Sequence, residues 1–317
     1  MISRTRLKSF INFLLDENII RNKEIEKIDI NTDEIFKIRG TKFVVIEEGI
    51  YGLLSWKFRQ RSIEETSVAF HIVDHCNLNC QMCNKFSCIA DECFVSSNHV
   101  INDAKDLSRI TGGKIGKVII SGGEPLLHPE LENILIRMNE VFPNSEIQLQ
   151  TNGVLLTKKD DYFFDVCRNT GTYIWITKYP IKYDYKSAVE RCEMAGCKVV
   201  YAVDEVKTSW KFPMDINGNQ PLWLQLFCWM HGECINIVDG KLWNCGFMHA
   251  SKWFEKRFQH RFDRMPDDYL ELCEVNDWAD VEKYINGVQK FCRYCDICRW
   301  EENIPWKTSN KTIDEYT

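Results

Sequence analysis

The 317-residue chain is long enough for one large or two medium domains, and its 44% hydrophobic and 27% charged residues are ordinary for a soluble globular protein. A net charge of −6 without a basic cluster argues against a nucleic-acid partner, and no apolar run approaches the roughly 18 residues that a membrane span requires. Fifteen cysteines are the outlier. Because the number is odd and the N-terminus lacks a secretion signal, we interpret them as metal ligands and free thiols of a cytoplasmic protein.

Residues 1–65 form a leading segment with two recognisable patterns. Apolar residues recur at helical spacing over residues 5–16, which predicts an amphipathic helix. The stretch Glu34–Glu47 has the pattern of two strands around a turn at Arg39-Gly40. We expect this segment to be a helix and hairpin cap on the domain that follows, with a substrate-recognition module as the alternative.

From residue 66 onward, strand and helix patterns alternate, which is typical of parallel βαβ units. We predict an α/β fold in which residues 66–221 form an open, partial (β/α)6 barrel. The predicted strands are Val68–Val73, Lys117–Ile120, Glu146–Gln150, Tyr173–Thr177, Lys198–Val203 and Leu222–Phe227. The predicted helices cover residues 99–110, 130–141, 158–168 and 185–194.

A three-cysteine motif follows the first of these strands. Cys76, Cys80 and Cys83 have the spacing C-x3-C-x2-C within eight residues. Full protein ligation of a [4Fe–4S] cluster takes four thiolates, so three on one loop would leave one iron open to an outside ligand. The alternatives are a zinc knuckle or three unrelated thiols. At the C-terminal end of a strand, the motif lies where α/β barrels place their chemistry.

Polar and glycine residues follow the next strands in turn. Gly122-Gly123-Glu124-Pro125 comes after the second strand, where paired glycines allow a ligand to approach the backbone and a carboxylate can accept from an ammonium group. Thr151-Asn152 closes the third strand and Thr177 closes the fourth. We therefore expect these polar groups to surround the same mouth of the barrel as the cysteines.

Together these motifs resemble the radical S-adenosylmethionine (radical SAM) superfamily over residues 66–227. The resemblance implies a [4Fe–4S] cluster on Cys76, Cys80 and Cys83, whose open iron binds the amino and carboxylate groups of S-adenosylmethionine. It also implies that the cofactor contacts come from the ends of the second, third and fourth strands. These residues are Gly122, Gly123, Glu124, Pro125, Thr151, Asn152 and Thr177. One departure is Met82, since the family often has an aromatic residue just before the third cysteine.

A second cysteine group lies in the C-terminal part, which we place at 222–317. Asp239-Gly240 between two short apolar runs predicts a β-hairpin with a type I′ turn. Cysteines before and after such a hairpin, followed by a later C-x2-C, resemble the twitch and SPASM auxiliary-cluster domains of radical SAM enzymes. The resemblance implies one auxiliary [4Fe–4S] cluster, and a structural zinc is the alternative. The expected ligands are Cys228, Cys245, Cys292 and Cys295, with Cys234 or Cys298 able to replace one of them.

The resemblance also implies a chemistry. One electron, from a reductant such as flavodoxin or ferredoxin, cleaves S-adenosylmethionine, and the resulting 5′-deoxyadenosyl radical abstracts a hydrogen atom. The extended pattern around the cysteine motif, together with Ile304-Pro305-Trp306, resembles a subgroup of twitch-bearing enzymes. We therefore expect a small polar, carbohydrate-containing substrate that is oxidised or epimerised. The alternative is a maturase that modifies a peptide or protein, with residues 1–65 gripping the target.

Overall fold

The computed structural model describes residues 62–203, 208–220 and 235–317, apart from 286 and 288. It also describes four single positions between 221 and 234 and the backbone of three N-terminal strands. These strands, Ile25–Ile30 (β1), Asp33–Ile38 (β2) and Thr41–Val44 (β3), form an antiparallel sheet, and the pairing of β2 with β3 confirms the predicted hairpin. The predicted helix over 5–16 lies outside the described residues.

The central sheet contains the five predicted strands of the βαβ region. They are parallel and lie side by side in chain order, because each pair is joined by a helix that crosses over the sheet. The predicted sixth strand, Leu222–Phe227, lies almost entirely outside the described residues. The strands are Ser67–Val73 (β4), Lys117–Gly122 (β5), Glu146–Thr151 (β6), Tyr173–Thr177 (β7) and Lys198–Val203 (β8).

Four helices connect these strands, at the places that apolar periodicity predicts. The second of them buries Leu131, Ile134, Leu135 and Met138, while Val141 at its end remains partly exposed. The apolar face of each helix packs on the sheet and closes one continuous core. The helices are Ser97–Thr111 (α1), Leu131–Val141 (α2), Asp161–Asn169 (α3) and Tyr185–Met194 (α4).

The predicted C-terminal hairpin is present, but it belongs to the central sheet. Asp239 and Gly240 both have positive φ, at 53° and 75°, as the type I′ turn requires. The first hairpin strand pairs in parallel with β4, on the edge away from β5. The division at residue 221 stays a prediction, since the hairpin assigned to residues 222–317 is hydrogen-bonded to the first strand of the predicted barrel.

The remaining strands and helices lie between residues 208 and 305. A short strand at 208–211 and another at 301–305 form a separate antiparallel pair. The strands are Thr208–Lys211 (β9), Asn236–Val238 (β10), Lys241–Trp243 (β11), Leu270–Glu271 (β12) and Glu301–Pro305 (β13). The helices are Gly246–Ala250 (α5), Lys252–Phe258 (α6) and Trp278–Ile285 (α7). Among the described residues, no helix is long and apolar enough to cross a membrane.

Asp103 on α1 connects that helix to the hairpin turn, and it provides a pH-dependent term in stability. Its carboxylate accepts from Gly240 N at 3.1 Å, and burial raises its pKa from 3.8 to about 6. A carboxyl group with a raised folded-state pKa loses stabilising free energy as the pH rises between those two values. We expect Asp103→Asn to remove a pH dependence of up to about 3 kcal/mol from the free energy of unfolding. Urea titrations of reduced, metal-free protein between pH 4 and 7 measure the free energy of unfolding of the wild type and the variant. If the two plots of this free energy against pH run parallel, the expectation is contradicted.

Candidate active site

The three cysteines of the C-x3-C-x2-C motif share one cavity with the ends of the neighbouring strands. Cys76, Cys80 and Cys83 lie on the loop after β4 and line a cavity of about 340 Å³. Five of the seven predicted cofactor residues line the same cavity. They are Gly122, Gly123, Thr151, Asn152 and Thr177. The expected gathering of thiols and strand ends is therefore present in the structure.

The environment of Cys76 and Cys80 favours the neutral form of these two thiols. Burial raises the pKa of Cys76, and the nearby Glu124 carboxylate raises it further. Burial also raises the pKa of Cys80, to about 12. Cys76 and Cys80 are therefore protonated in the metal-free protein at neutral pH, and any metal that they bind must displace their protons.

A buried polar group fixes the start of the cysteine loop. His71 Nε2 donates to Asp74 Oδ1 at 2.7 Å, and Lys252 Nζ lies 3.0 Å from the second carboxylate oxygen. Burial opposes ionisation of Asp74, but these two partners hold its pKa well below the usual range. The position of Asp74, two residues before Cys76, therefore depends on an ion pair with α6. In the sequence, the only signal of these contacts is the presence of polar residues at the end of an apolar strand.

The paired glycines at the end of β5 pack against the backbone that leads into the cysteine loop. Gly123 N donates to Val73 O at 2.7 Å. A Cβ atom at Gly123 would lie 2.0 Å from His75 O, and one at Gly122 would lie 2.3 Å from Val73 O. The glycines therefore permit close packing of β5 on the backbone that leads to Cys76, in addition to any approach by a ligand.

Glu124 connects the ends of β5 and β6. Its side chain is fully buried and accepts from Thr151 Oγ1 at 2.6 Å, Asn152 N at 2.8 Å and Leu126 N at 2.9 Å. Burial raises its pKa to about 7, against the effect of these donors. Neither Glu124 nor Pro125, which begins a short 3-10 turn, lines the cavity. Glu124 thus links the loop after β5 to the end of β6, and its contact with a cofactor stays a prediction.

The polar residues after β6 and β7 face the thiols. Asn152 Nδ2 donates to Asn77 Oδ1 at 2.7 Å and lies 3.6 Å from Cys76 Sγ. Tyr179, two residues beyond Thr177, also lines the cavity, and burial followed by the nearby cysteines raises the pKa of its hydroxyl group. Tyr179 was not among the predicted site residues, although its position just after a strand end is a signal of the kind that identified Thr177.

The second cysteine group includes residues that lie close to α7. Burial raises the pKa of Cys295, and the proximity of Cys292 and then Cys228 raises it further. Cys245 directly precedes α5, and Cys245 and Cys292 both lie close enough to Tyr284 to raise the pKa of its hydroxyl group. Cys292 and Cys228 thus act electrostatically on Cys295, and Cys245 and Cys292 act on Tyr284, while ligation of one cluster by all four cysteines stays a prediction. Cys298 is partly buried, and Cys234 lies outside the described residues.

The donor chemistry of the first site fits an iron–sulfur cluster. In the part of the chain that the structure describes, no three His, Cys, Asp or Glu side chains converge closely enough to hold a single metal ion. A cubane cluster does not need such convergence, because each thiolate binds a different iron. In addition, the buried Trp306 Nε1 in the cavity wall has no hydrogen-bond acceptor among the described residues, and cluster sulfur would provide one.

Fold and site together define an α/β protein in which three thiols on the first strand–helix loop line a cavity with the ends of the next parallel strands. Residues 70–176 match the model of the Radical SAM superfamily, and the chain therefore contains a radical SAM superfamily domain. A domain of this superfamily implies a [4Fe–4S] cluster and S-adenosylmethionine. The match covers the cysteine motif and the Gly-Gly-Glu-Pro turn.

Curated relatives include the GTP 3′,8-cyclase of Staphylococcus aureus (strain bovine RF122 / ET3-1). It is 29% identical over 240 residues, which are 71% of this chain and 66% of the relative, so the chain spans just under two thirds of that protein. The same-named protein of strain JH9 is 29% identical over 99 residues, or 29% of its length. Among solved structures, BtrN in complex with AdoMet and 2-DOIA is 14% identical with a TM-score of 0.47, over 79% of this chain and 96% of that one.

Proposed function

We propose that this protein is a radical SAM enzyme that abstracts hydrogen from a small polar, carbohydrate-containing substrate. The observation that supports this most is the shared cavity of Cys76, Cys80 and Cys83 with the ends of β5, β6 and β7. When bound there, the cluster supplies the electron that cleaves S-adenosylmethionine to methionine and the 5′-deoxyadenosyl radical. The protein provides binding, orientation and protection from side reactions.

The residues of the site have distinct roles in this proposal. The three cysteines hold three irons, and Gly122, Gly123, Thr151, Asn152 and Thr177 surround the space beside them. The Asp74 ion pair holds the start of the cysteine loop against α6, and the Glu124 hydrogen bonds hold the loop after β5 against the end of β6. Such rigidity matters because hydrogen abstraction requires the reacting atoms to lie about 3–3.5 Å apart.

The aromatic and polar lining of the cavity suits a polar ring compound. Trp210 and Phe212 on and beside β9 have nearly parallel rings with centroids 5.9 Å apart, and both line the cavity with Trp306. Lys85 and Ser121 line the same cavity, and Lys85 Nζ donates to Ser121 Oγ at 3.0 Å. Aromatic faces combined with a few polar groups are typical of small-molecule sites, and they favour a sugar-containing substrate over an extended peptide.

The fate of the substrate radical distinguishes three reactions. Loss of a proton and of one electron, which an auxiliary cluster would accept, gives oxidation, and receipt of a hydrogen atom from a thiol, which becomes a thiyl radical, gives epimerisation. Addition to an unsaturated bond of the same molecule, followed by uptake of one electron from a reduced cluster and a proton, gives ring closure, which we include because relatives named GTP 3′,8-cyclase are 29% identical. Oxidation or epimerisation remains the first expectation, because an auxiliary cluster on the second cysteine group would provide an electron acceptor within the same chain.

The test is release of 5′-deoxyadenosine by anaerobically reconstituted protein. We would screen phosphorylated and free sugars, nucleosides, nucleotides and peptides, and measure 5′-deoxyadenosine and new products by mass spectrometry. Stimulation by sugar-containing compounds is the expected result. Stimulation only by peptides would favour the maturase alternative, and a colourless protein that contains zinc at both sites would contradict the enzymatic proposal.

The auxiliary site leads to a separate prediction. We expect Cys292→Ala/Cys295→Ala to lower the iron content from about eight to about four atoms per chain, because one [4Fe–4S] cluster is lost. Cleavage of S-adenosylmethionine should persist, while oxidised product disappears. Iron analysis and product assays measure both, with the exposed Cys273→Ala as a control that should change neither. Unchanged iron in the double variant would show that these thiols hold no cluster.

A further inference from the structure

The backbone of the cysteine loop pairs with residues that lie more than 220 positions later in the sequence. We call residues 306–316 the C-terminal strap. Gln81 N donates to Lys307 O at 2.9 Å, and Ser309 N donates to Asn79 O at 2.8 Å. These bonds flank Cys80, so the backbone on both sides of this thiol is held by the strap.

The strap is anchored again at its far end. The ring of Tyr316 is buried against Phe86, with centroids 5.1 Å apart, and its hydroxyl group lies 3.0 Å from Cys88 Sγ. Both contacts are to residues just beyond Cys83. The strap therefore holds the cysteine loop before and after the third thiol as well.

Trp306 begins the strap and lines the cavity together with Cys80. Its ring lies 6.2 Å from that of Tyr179. Trp306 and Tyr179 both lie next to the thiol of Cys80. Trp306 Nε1 is buried but makes no hydrogen bond to that sulfur or to any other described residue, which is costly for a polar group.

We propose that the C-terminal strap is a positioning element of the iron–sulfur cluster, and that Trp306 donates from Nε1 to sulfur at Cys80 when the cluster is bound. This inference rests on the proposed function, because it requires the cluster on Cys76, Cys80 and Cys83. A donor to cluster sulfur stabilises the added electron and so raises the reduction potential. The strap would thereby set how easily the cluster is reduced.

The test compares Trp306→Phe with Trp300→Phe. Both variants keep an aromatic ring and lose a buried Nε1–H that has no acceptor among the described residues, but Trp300 packs on Phe212 and does not line the cavity. The readout is the EPR signal that changes when S-adenosylmethionine is added, which identifies the cluster of interest. At a potential equal to the wild-type midpoint, we expect the ratio of reduced to oxidised cluster to fall roughly three- to tenfold in Trp306→Phe. Trp300→Phe should match the wild type.

A second measurement tests positioning independently of potential. Asn79→Ala removes a side-chain bond to Ser309 O of 2.9 Å and leaves Trp306 in place. We expect it to release iron to a chelator several-fold faster than the wild type, with an unchanged midpoint. Equal potentials in both tryptophan variants and an unchanged release rate would overturn the inference while the proposed function stands. Absence of any cluster on the three cysteines in the wild type would overturn both.

Discussion

A Cys76→Ala/Cys80→Ala/Cys83→Ala variant is expected to hold about four iron atoms per chain where the wild type holds about eight, and to release no 5′-deoxyadenosine. The three thiols line a single cavity and are the protein ligands proposed for the first cluster. Their removal therefore leaves that cluster without a protein ligand. The remaining iron should belong to the second cysteine group. Iron and sulfide analysis with EPR on anaerobically purified protein measures the change.

The complementary control is Cys292→Ala/Cys295→Ala, which should lose the other half of the iron and keep cleavage of S-adenosylmethionine. If the wild type holds about four irons and the triple variant none, there is no auxiliary cluster and the argument for oxidation fails. If the triple variant keeps all of its iron, the cysteine motif is not a cluster site. Zinc in place of iron at both sites would remove the basis for radical chemistry.

Gly123→Ala adds a single methyl group, and we expect it to reduce cluster content and 5′-deoxyadenosine release nearly as much as the triple cysteine variant does. Its Cβ would lie 2.0 Å from His75 O and 2.5 Å from His75 C, and both are backbone atoms that no side-chain rotation can move. The backbone just before Cys76 must therefore shift. We expect loss of the first cluster and of 5′-deoxyadenosine release, with a destabilisation of about 1–3 kcal/mol.

The matched control is Gly171→Ala. Gly171 has a positive φ of 66° and no atom within 4 Å of an added Cβ, so alanine there costs about 1–2 kcal/mol without a clash. Iron content, 5′-deoxyadenosine release and urea unfolding should be measured for both variants. Full iron loading in Gly123→Ala would show that the contact with His75 does not position the cysteine loop.

The sequence predicted the regular part of the fold well, and for a physical reason. The alternation of β4 to β8 with α1 to α4 is carried by local apolar periodicity, which a single sequence displays directly. The hairpin was equally local, since Asp239 and Gly240 both adopt the positive φ that their residue types allow. The thiols and strand ends could be placed together because parallel strands present their C-terminal ends on one edge of a sheet.

What the sequence could not show depends on contacts between distant residues. Nothing near Trp306 indicates that the C-terminal strap lies beside Cys80, and nothing near Asp74 indicates that it pairs with Lys252. The hairpin was predicted correctly in conformation but without its partner, because pairing of β10 with β4 joins residues more than 160 positions apart. Glu124 shows a third difficulty, since a motif does not reveal whether its carboxylate faces a ligand or braces the fold.

The pairing of β10 with β4 also bears on how the chain acquires its structure. A fragment that ends near residue 221 would expose the backbone of β4 along one edge and lack the strap partners of Asn79 and Gln81. An open edge of this kind invites pairing with other chains, and contacts between distant residues slow folding. During synthesis, the cysteine loop therefore stays incomplete until residues 306–316 have left the ribosome. We expect the nascent chain to need protection from aggregation in that interval, and cluster insertion to come after it.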